Sequence, residues 1–252
     1  LERFAADYAR SCAEEPGGDP PTGAKVALVG SGPASLIAAY DLVRNNYQVT
    51  VFEAVHRLGG VLAYGIPNFR LPRPILREEI ARLQRMGVTF VPDFIVGKTA
   101  TLEDLFEEGF EAIFIGTGAG LPYLMGIPGE NLIGVYTANE FLTRINLMEA
   151  YRFPEADTPV RVGERTVVVG GGITAIELVE ALAARGVEVH YFLRGERYWS
   201  AVLDEVESRI VERRLVHDDV KIHYHTNLVE VQGQKGRVTA VQAEENGRPV
   251  TL

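Results

Sequence analysis

The sequence predicts an α/β fold built from two similar βαβ units, and three observations support this prediction. Two glycine-rich turns occur, at residues 30–35 and 170–175, each between an apolar stretch typical of a buried strand and an alanine- and leucine-rich stretch typical of a helix. The length of 252 residues suffices for one large domain or two of ordinary size. A hydrophobic content of 46% is ample for packed cores.

Charge and cysteine content narrow the function classes. The net charge of −9 argues against a nucleic-acid partner, which calls for a basic face. No apolar run reaches the ~18 residues that span a bilayer, and residues 1–10 are too charged for a secretory signal, so we expect no membrane partner. Cys12 is the only cysteine, which excludes an internal disulfide, a zinc cluster and a complete iron–sulfur site, and fits a reducing, cytoplasmic setting.

The glycine turns indicate the kind of ligand. Glycine lets the backbone bend sharply and lets a pyrophosphate approach closely. The helix that follows directs free N–H groups and its positive dipole end at the phosphates. Two such Rossmann-like turns predict a protein that holds two dinucleotides and passes electrons between them.

The first unit follows an N-terminal helix over residues 1–13 and a Gly/Pro-rich linker over 14–23. Residues 57–74, rich in Gly, Pro and aromatics, are predicted to be neither helix nor strand, and either pack against a large planar ligand or form a buried loop. The other predicted elements are strands at 25–29, 48–52, 88–91 and 112–115, the last one buried, and helices at 34–45, 75–86 and 102–107.

The second unit begins after a proposed domain boundary. Thr137 is a plausible N-cap with Glu140 at capping-box spacing, which predicts a helix over 136–150. Two prolines and mixed charge follow over 151–164, so we divide the chain into residues 1–23, 24–160 and 161–252. The predicted elements after the boundary are strands at 165–169, 188–193, 220–224, 228–232 and 238–243 and helices at 174–184 and 203–215.

In the first unit an acidic residue follows one predicted strand and a glycine-rich stretch follows another. Glu53 stands at the tip of the second strand, where an acid can accept both ribose hydroxyls of an adenosine; the alternative is a solvated strand-end charge. Residues 116–120 (GTGAG) lie at the carboxyl end of a strand, where doubly wound sheets bind ligands.

With these residues in view, the chain resembles the small subunit of glutamate synthase and its relatives. These include the large subunit of NADH-dependent ferredoxin:NADP oxidoreductase and a segment of dihydropyrimidine dehydrogenase. The matching stretches are residues 30–34, 59–67, 69–72, 116–120 and 138–142, among which Ala63-Tyr64-Gly65-Ile66-Pro67 is quite specific.

The resemblance implies that the first unit binds FAD. The first turn would be the pyrophosphate site, Glu53 the ribose ligand, and residues 59–67 and 116–118 the lining of the flavin, with Tyr64 and Arg70 positioning its ring. Tyr64 is the candidate catalytic residue of this unit. The candidate FAD-binding residues are Gly30, Gly32, Pro33, Ala34, Ser35, Glu53, Ala54, Gly59, Gly60, Gly65, Ile66, Pro67, Arg70, Val96, Thr117 and Gly118.

From Gly170 onward the chain is more similar to the NAD(P)H module of NADH oxidase and rubredoxin reductase relatives. That similarity implies that Glu177, on the first turn of the helix, lies beside the nicotinamide; the alternative is a helix-surface charge. It makes Glu177 the second candidate catalytic residue. The candidate NAD(P)-binding residues are Gly170, Gly171, Gly172, Ile173, Thr174, Arg194 and Arg197.

Coenzyme selectivity is expected where the second strand of this unit ends. Leu193 or Arg194 takes the place of the acid that binds a free 2′-hydroxyl. Arg194 and Arg197 can form a bidentate clamp on a 2′-phosphate, which favours NADP over NAD. The alternative is a pair of surface arginines partly neutralised by Glu196.

Together these features predict a flavoprotein oxidoreductase subunit. Hydride transfer between nicotinamide C4 and flavin N5 needs stacking and exclusion of water more than an acid or base. Electrons would pass to or from an iron–sulfur centre or a large catalytic subunit, and no metal is expected in this chain. The alternative is a non-catalytic nucleotide-binding or electron-relay scaffold subunit.

Two further expectations concern departures from the family and the histidines. The family has cysteine-rich motifs before the segment matching residues 1–4, and a returning FAD-domain segment after the second module; neither is found here, so we expect a partial chain whose FAD domain lacks that C-terminal return. His223 and His225 are expected to alternate on one strand, and a metal there would need a further ligand.

Overall fold

The computed structural model describes residues 1–12 and 21–252, so most of the predicted linker over 14–23 lies outside the described residues. The chain forms two compact units, Leu1–Gly120 and Leu121–Leu252. This division precedes the boundary proposed near residue 160, because the segment after Leu121 binds the second unit: Val231 N donates to the Pro128 carbonyl and Ile133 N to the Gly236 carbonyl.

The first unit is a parallel sheet with helices. Its strands are β1 (Lys25–Val29), β2 (Gln48–Phe52), β3 (Thr89–Val91) and β4 (Ala112–Ile115). Its helices are α1 (Glu2–Cys12), α2 (Pro33–Arg44), α3 (Val61–Tyr64), α4 (Arg73–Arg85) and α5 (Leu102–Glu107). All paired strands are parallel and their order is β3-β2-β1-β4.

The side chains of β1 alternate between two cores. Leu28 packs on one face of the sheet, in a cluster with Val43 and Leu83 of α2 and α4. Ala27 packs on the other face, in a cluster with Phe52 and Leu105. Because both faces are covered, residues 26–29 of this strand are all apolar, as is typical of buried parallel strands.

The strand order positions the candidate site. β1 lies between β2 and β4, so the direction in which the sheet grows reverses at β1. Open α/β sheets bind ligands outside the carboxyl ends of their strands at such a switch point. The turns at residues 30–35 and 116–120 both leave the sheet at this edge.

The second unit contains two sheets. Its parallel strands are β5 (Arg165–Val169), β6 (Glu188–Phe192) and β7 (Lys221–His223), in the order β5-β6-β7. Its antiparallel strands are β8 (Thr226–Gln234), β9 (Arg237–Glu245) and β10 (Arg248–Thr251), in the order β10-β9-β8. Its helices are α6 (Ala138–Asn146), α7 (Ile173–Ala183), α8 (Glu205–His217) and a short 3₁₀-helix (Ala150–Arg152).

Each face of the second unit's parallel sheet is covered by a different layer. Val179 of α7, Tyr191 of β6 and Leu215 of α8 belong to one buried cluster. Phe192 belongs to another, with Val231 and Val241 of the antiparallel sheet. The antiparallel strands therefore cover the side of β6 that faces away from the helices.

Two local predictions for the first unit are corrected. Residues 57–74 include the one-turn helix α3 and the start of α4, and Gly59 and Gly60, both with positive φ, turn the chain just before α3. Strand β4 is not buried: Phe114 is 40% and Ile115 61% exposed. β4 is an edge strand of the described sheet, so one of its sides has no neighbouring strand there.

Two local predictions for the second unit also change. Thr137 is the N-cap of α6, accepting from Glu140 N at 3.2 Å, but the helix ends at Asn146, before Glu149 takes a left-handed φ of +51°. A strand that was not predicted from the sequence, β10, follows the Asn246-Gly247 turn. Both residues of this turn have positive φ, which suits a tight hairpin.

A chain of hydrogen bonds joins titratable groups of β6, β7 and β9. Nδ1 of buried His190 lies 3.0 Å from Nε2 of His223, and Nδ1 of His223 lies 3.2 Å from a Glu245 oxygen. Nε2 of His190 lies 3.2 Å from a Glu188 oxygen, which also pairs with Lys221. Burial lowers the pKa of His190, and the neighbouring His223 and Lys221 charges act in the same direction, against the Glu188 contact.

The expected alternation of His223 and His225 on one strand is wrong. β7 ends at His223, and His225 has a φ of +48° that turns the chain toward β8. Among the described residues no group of three or more His, Cys, Asp or Glu side chains is arranged to hold a metal ion. Within the same residues, no helix has the length and apolarity needed to cross a bilayer.

The lowered pKa of His190 predicts a pH-dependent stability. The unfolded chain takes up a proton on this side chain as the pH falls through about 6.5, before the folded chain does, so the stabilising contribution is present above that pH and lost below it. We expect His190→Gln to reduce the loss of unfolding free energy between pH 7.5 and 5.5, measured by chemical denaturation. Exposed His217→Gln is the control; an equal effect of both substitutions would contradict the assignment.

Candidate functional site

The turn after β1 has no room for a side chain at its first glycine. Gly30 has a φ of +93°, and a Cβ there would lie 2.6 Å from the Gly116 carbonyl oxygen. Gly30 N donates to the Phe52 carbonyl at 2.7 Å. The chain segments that follow β1 and β4 therefore touch backbone to backbone, as only glycine permits.

The start of α2 faces open space. Its N-cap, Gly32, has no capping side chain, and a Cβ at Gly32 would meet no atom within 4 Å. Pro33 follows at the first helical position, where its missing N–H costs nothing. Ser35 is fully buried, and its hydroxyl has no hydrogen-bond partner among the described residues. This helix start has free donors and one unsatisfied hydroxyl.

Glu53 is held by the glycine turn rather than solvated. It is 6% exposed, and its Oε2 accepts from Ser31 N at 2.9 Å and from Ser31 Oγ at 2.5 Å. Its Oε1 accepts from Val55 N at 3.1 Å. Ser31 Oγ in turn accepts from Gly59 N at 2.8 Å. Sequence reasoning missed Ser31, although its place between the two glycines of the turn was a signal.

These contacts limit what Glu53 can bind. A carboxylate offers about four acceptor positions, and Ser31 and Val55 use three of them. The remaining position is on Oε1. In this arrangement Glu53 can accept one ribose hydroxyl, whereas the sequence led us to expect both.

The segment around α3 packs onto the same turn. Gly60 has a φ of +54°, and a Cβ there would lie 2.8 Å from the Gly32 Cα. Tyr64 ends α3, and its pKa is raised by burial and by the charge of Glu53. Arg73 donates to the carbonyls of Leu62 and Ile66, both at 2.6 Å. Arg73 is the second residue that sequence reasoning missed.

The remaining candidates of the first unit differ in their surroundings. Val96 packs against the cluster that contains Phe52. Arg70 is exposed and its guanidinium lies 5.3 Å from the centre of the Phe69 ring. The other exposed candidates are Pro33, Ala34, Ala54, Thr117 and Gly118, and those in or beside α3 that are at least partly buried are Gly59, Gly65, Ile66 and Pro67.

The second unit repeats the glycine turn. Gly170 has a φ of +139° and its N donates to the Phe192 carbonyl at 3.3 Å. Gly172 is the N-cap of α7 without a capping side chain, and a Cβ there would meet no atom within 4 Å. Exposed Gly171 precedes it, and Ile173 and Thr174 form the first positions of the helix. The free N–H groups of α7 thus face open space at the carboxyl end of β5.

Glu177 lies deeper in α7 than predicted. Because the helix begins at Ile173, Glu177 is in its second turn, and no acidic residue occupies the first turn. Its exposure is 9%, which rules out a helix-surface charge.

The two candidate arginines of this unit differ in exposure and in their contacts. Arg194 is exposed and follows buried Leu193 at the end of β6. Arg197 pairs with Glu196 at 2.9 Å and donates to the Ser200 carbonyl at 3.4 Å. Arg194 and Arg197 thus differ in their surroundings, and the two-arginine clamp on a 2′-phosphate stays a prediction.

Comparison with known proteins identifies the family. Residues 24–251 match the family model described as pyridine nucleotide-disulphide oxidoreductase. The chain belongs to this family. Membership in this oxidoreductase family implies binding of FAD and NAD(P)H.

Curated relatives in the family confirm the resemblance to glutamate synthase small subunits. The chain is 33% identical to the NADP(+)-dependent formate dehydrogenase subunit beta of Moorella thermoacetica over 96% of its own length and 36% of that protein. It is 37% identical to the glutamate synthase [NADPH] small chain of Bacillus subtilis over 68% of its own length and 35% of that protein. The chain thus spans about a third of these relatives.

A solved oxidoreductase has the same fold. The Mycobacterium tuberculosis FprA structure in complex with NADPH superposes with a TM-score of 0.68 at 18% identity, covering 92% of this chain and 67% of that one. The chain is therefore an α/β protein whose parallel sheets resemble the FAD/NAD(P)-binding domains of FprA-like reductases.

The close approach at Gly30 predicts a large effect of one methyl group. Gly97 has nearly the same φ, +90° against +93°, but a Cβ at Gly97 would meet nothing within 4 Å. Gly97→Ala should cost about 1 kcal/mol of unfolding free energy through backbone strain alone, whereas Gly30→Ala should cost about 3 kcal/mol or more. Chemical denaturation of the nucleotide-free chain measures both, and equal costs would refute the contact.

Proposed function

We propose that this chain is the FAD- and NAD(P)H-binding part of a flavoprotein oxidoreductase, and that hydride passes between the two cofactors. One observation carries the proposal. Each unit has a glycine-rich turn at the carboxyl edge of a parallel sheet, leading into a helix whose N-cap glycine has no capping side chain and faces open space. Such a helix start is a ready-made site for a pyrophosphate.

The residues of the first turn fit the FAD diphosphate and adenosine. The open space before Gly32 gives the diphosphate access to the donors of α2, and the unsatisfied Ser35 hydroxyl lies within the same helix start. Glu53, fixed by Ser31, has one acceptor position left for a ribose hydroxyl. Glu53 would therefore bind the ribose hydroxyl from the position in which Ser31 holds it.

Residues 59–67 and 116–118 would border the flavin. When bound, FAD supplies a two-electron acceptor for hydride that can also exchange single electrons. The contribution of the protein is to orient the ring and to exclude water. Tyr64 stays protonated well above neutral pH, since burial and Glu53 raise its pKa, so its hydroxyl remains a hydrogen-bond donor.

The second turn would hold NAD(P)H, with Gly170, Gly171 and Gly172 at its diphosphate. Arg194, exposed beside the end of β6, would bind a 2′-phosphate. We propose NADPH as the preferred coenzyme for this reason. Glu177, buried in the second turn of α7, would border the nicotinamide.

The electron partner is proposed from the relatives. The proteins named above are a subunit beta and a small chain, each longer than the present sequence. We propose that electrons from the flavin pass to or from an iron–sulfur centre or a large catalytic subunit.

An anaerobic absorbance titration tests the proposed function. The chain reconstituted with FAD should lose its flavin band near ~450 nm when NADPH is added, and more weakly with NADH. A flavin that stays oxidised with both coenzymes would refute hydride transfer and leave a nucleotide-binding scaffold. A chain that retains no flavin would refute the FAD assignment.

The coenzyme assignment predicts an asymmetric effect at Arg194. Arg194→Ala should weaken NADPH binding about tenfold or more, because a charge-assisted contact to the 2′-phosphate is lost, and leave NADH binding unchanged. Equilibrium titration of both coenzymes measures this difference, with exposed Arg213→Ala as the control. Equal losses for NADPH and NADH would contradict a role in selectivity.

A further inference from the structure

The Arg73 side chain bonds to the backbone on either side of Tyr64, within and just after the short helix α3. Its Nη1 donates to the Leu62 carbonyl and its Nη2 to the Ile66 carbonyl, both at 2.6 Å. Its backbone N donates to Asn68 Oδ1 at 3.1 Å. The planar guanidinium therefore spans the backbone on either side of Tyr64.

Residues 59–67, here called the α3 segment, need contacts from outside to hold their conformation. A four-residue helix has too few internal hydrogen bonds to be stable alone, and its last carbonyls lack helical partners. The two N–H donors of the planar Arg73 guanidinium, here called the Arg73 fork, have a fixed geometry that a lysine ammonium does not reproduce. Arg73 is also the first residue of α4, whose Leu76 packs beside Ala63 of α3 in one buried cluster. Arg73 thus ties the α3 segment to a helix of the core.

The part of the proposed FAD site that would bind the adenosine is held by residues other than Arg73. Glu53 and the glycine turn are linked through Ser31 to Gly59, at the start of the segment. Arg73 contacts the segment at its other end, from Leu62 to Ile66. The two ends can therefore be weakened separately.

We propose that Arg73 is a positioning residue for the flavin end of the bound cofactor. It fixes the backbone over residues 62–66, and through it the Tyr64 ring, in the orientation that borders the flavin. This inference rests on the proposed FAD site and assigns Arg73 no contact with the adenosine half. Loss of the fork should therefore weaken FAD and leave the binding of its ADP portion unchanged.

The test compares FAD with ADP. Arg73→Lys keeps the charge and removes the fork, Arg73→Gln removes both, and Arg77→Lys, on the exposed side of α4, is the matched control. FAD affinity is measured by calorimetry. ADP affinity is measured by displacement of bound FAD, so that ADP bound at the second unit does not contribute to the signal. We expect FAD affinity to fall about tenfold or more in both Arg73 variants and ADP affinity to stay within about twofold.

A second readout needs no cofactor. The Gly65 and Ile66 amides donate to the Val61 carbonyl at 2.8 and 3.1 Å, and their hydrogen exchange in the nucleotide-free chain should become faster in Arg73→Lys and not in Arg77→Lys. Parallel losses of FAD and ADP affinity, unchanged FAD affinity, or unchanged exchange would each overturn the inference. A wild-type chain that binds ADP but not FAD would refute the proposed FAD site itself.

Discussion

The first unit depends on the contact between two backbones at the carboxyl edge of its sheet. Gly30 passes so close to Gly116 that a single methyl group would collide with a carbonyl oxygen. The contact sets where α2 starts, and Ser31 then links that start to Glu53 and Gly59. A buried carboxylate is tolerated there because three donors satisfy it. The hydrogen bonds that fix Glu53 therefore all come from the protein itself.

The two units use the same turn with different chemistry at the tip of the next strand. In the first unit β2 leads into a buried acid, which suits ribose hydroxyls. In the second unit β6 leads through buried Leu193 to exposed Arg194, which suits a phosphate. This difference supports the proposed preference of the second site for NADPH. In our proposal Arg73 positions residues 62–66, which belong to the part of the first site that lies away from the adenosine.

Much of this architecture could be predicted from the sequence, because apolar runs bounded by glycine turns mark parallel strands directly. β1, β2, β4 and β5 have the predicted bounds. The place of Ser31 between two glycines was a signal, but its partners Glu53 and Gly59, like the Leu62 and Ile66 partners of Arg73, are brought together only by folding. The exposure of β4 depends on strand order, and the contacts of Pro128 and Ile133 with the β8–β9 hairpin depend on chain pairing, neither of which hydropathy encodes.

The central claim is that one chain holds two different dinucleotides. It is tested most directly by calorimetric titration of the nucleotide-free chain with FAD, followed by NADPH added to the FAD-saturated protein. The account predicts one FAD and one NADPH per chain, with no release of FAD during the second titration. NADPH that displaces FAD, or a chain that accepts only one of the two, would contradict it.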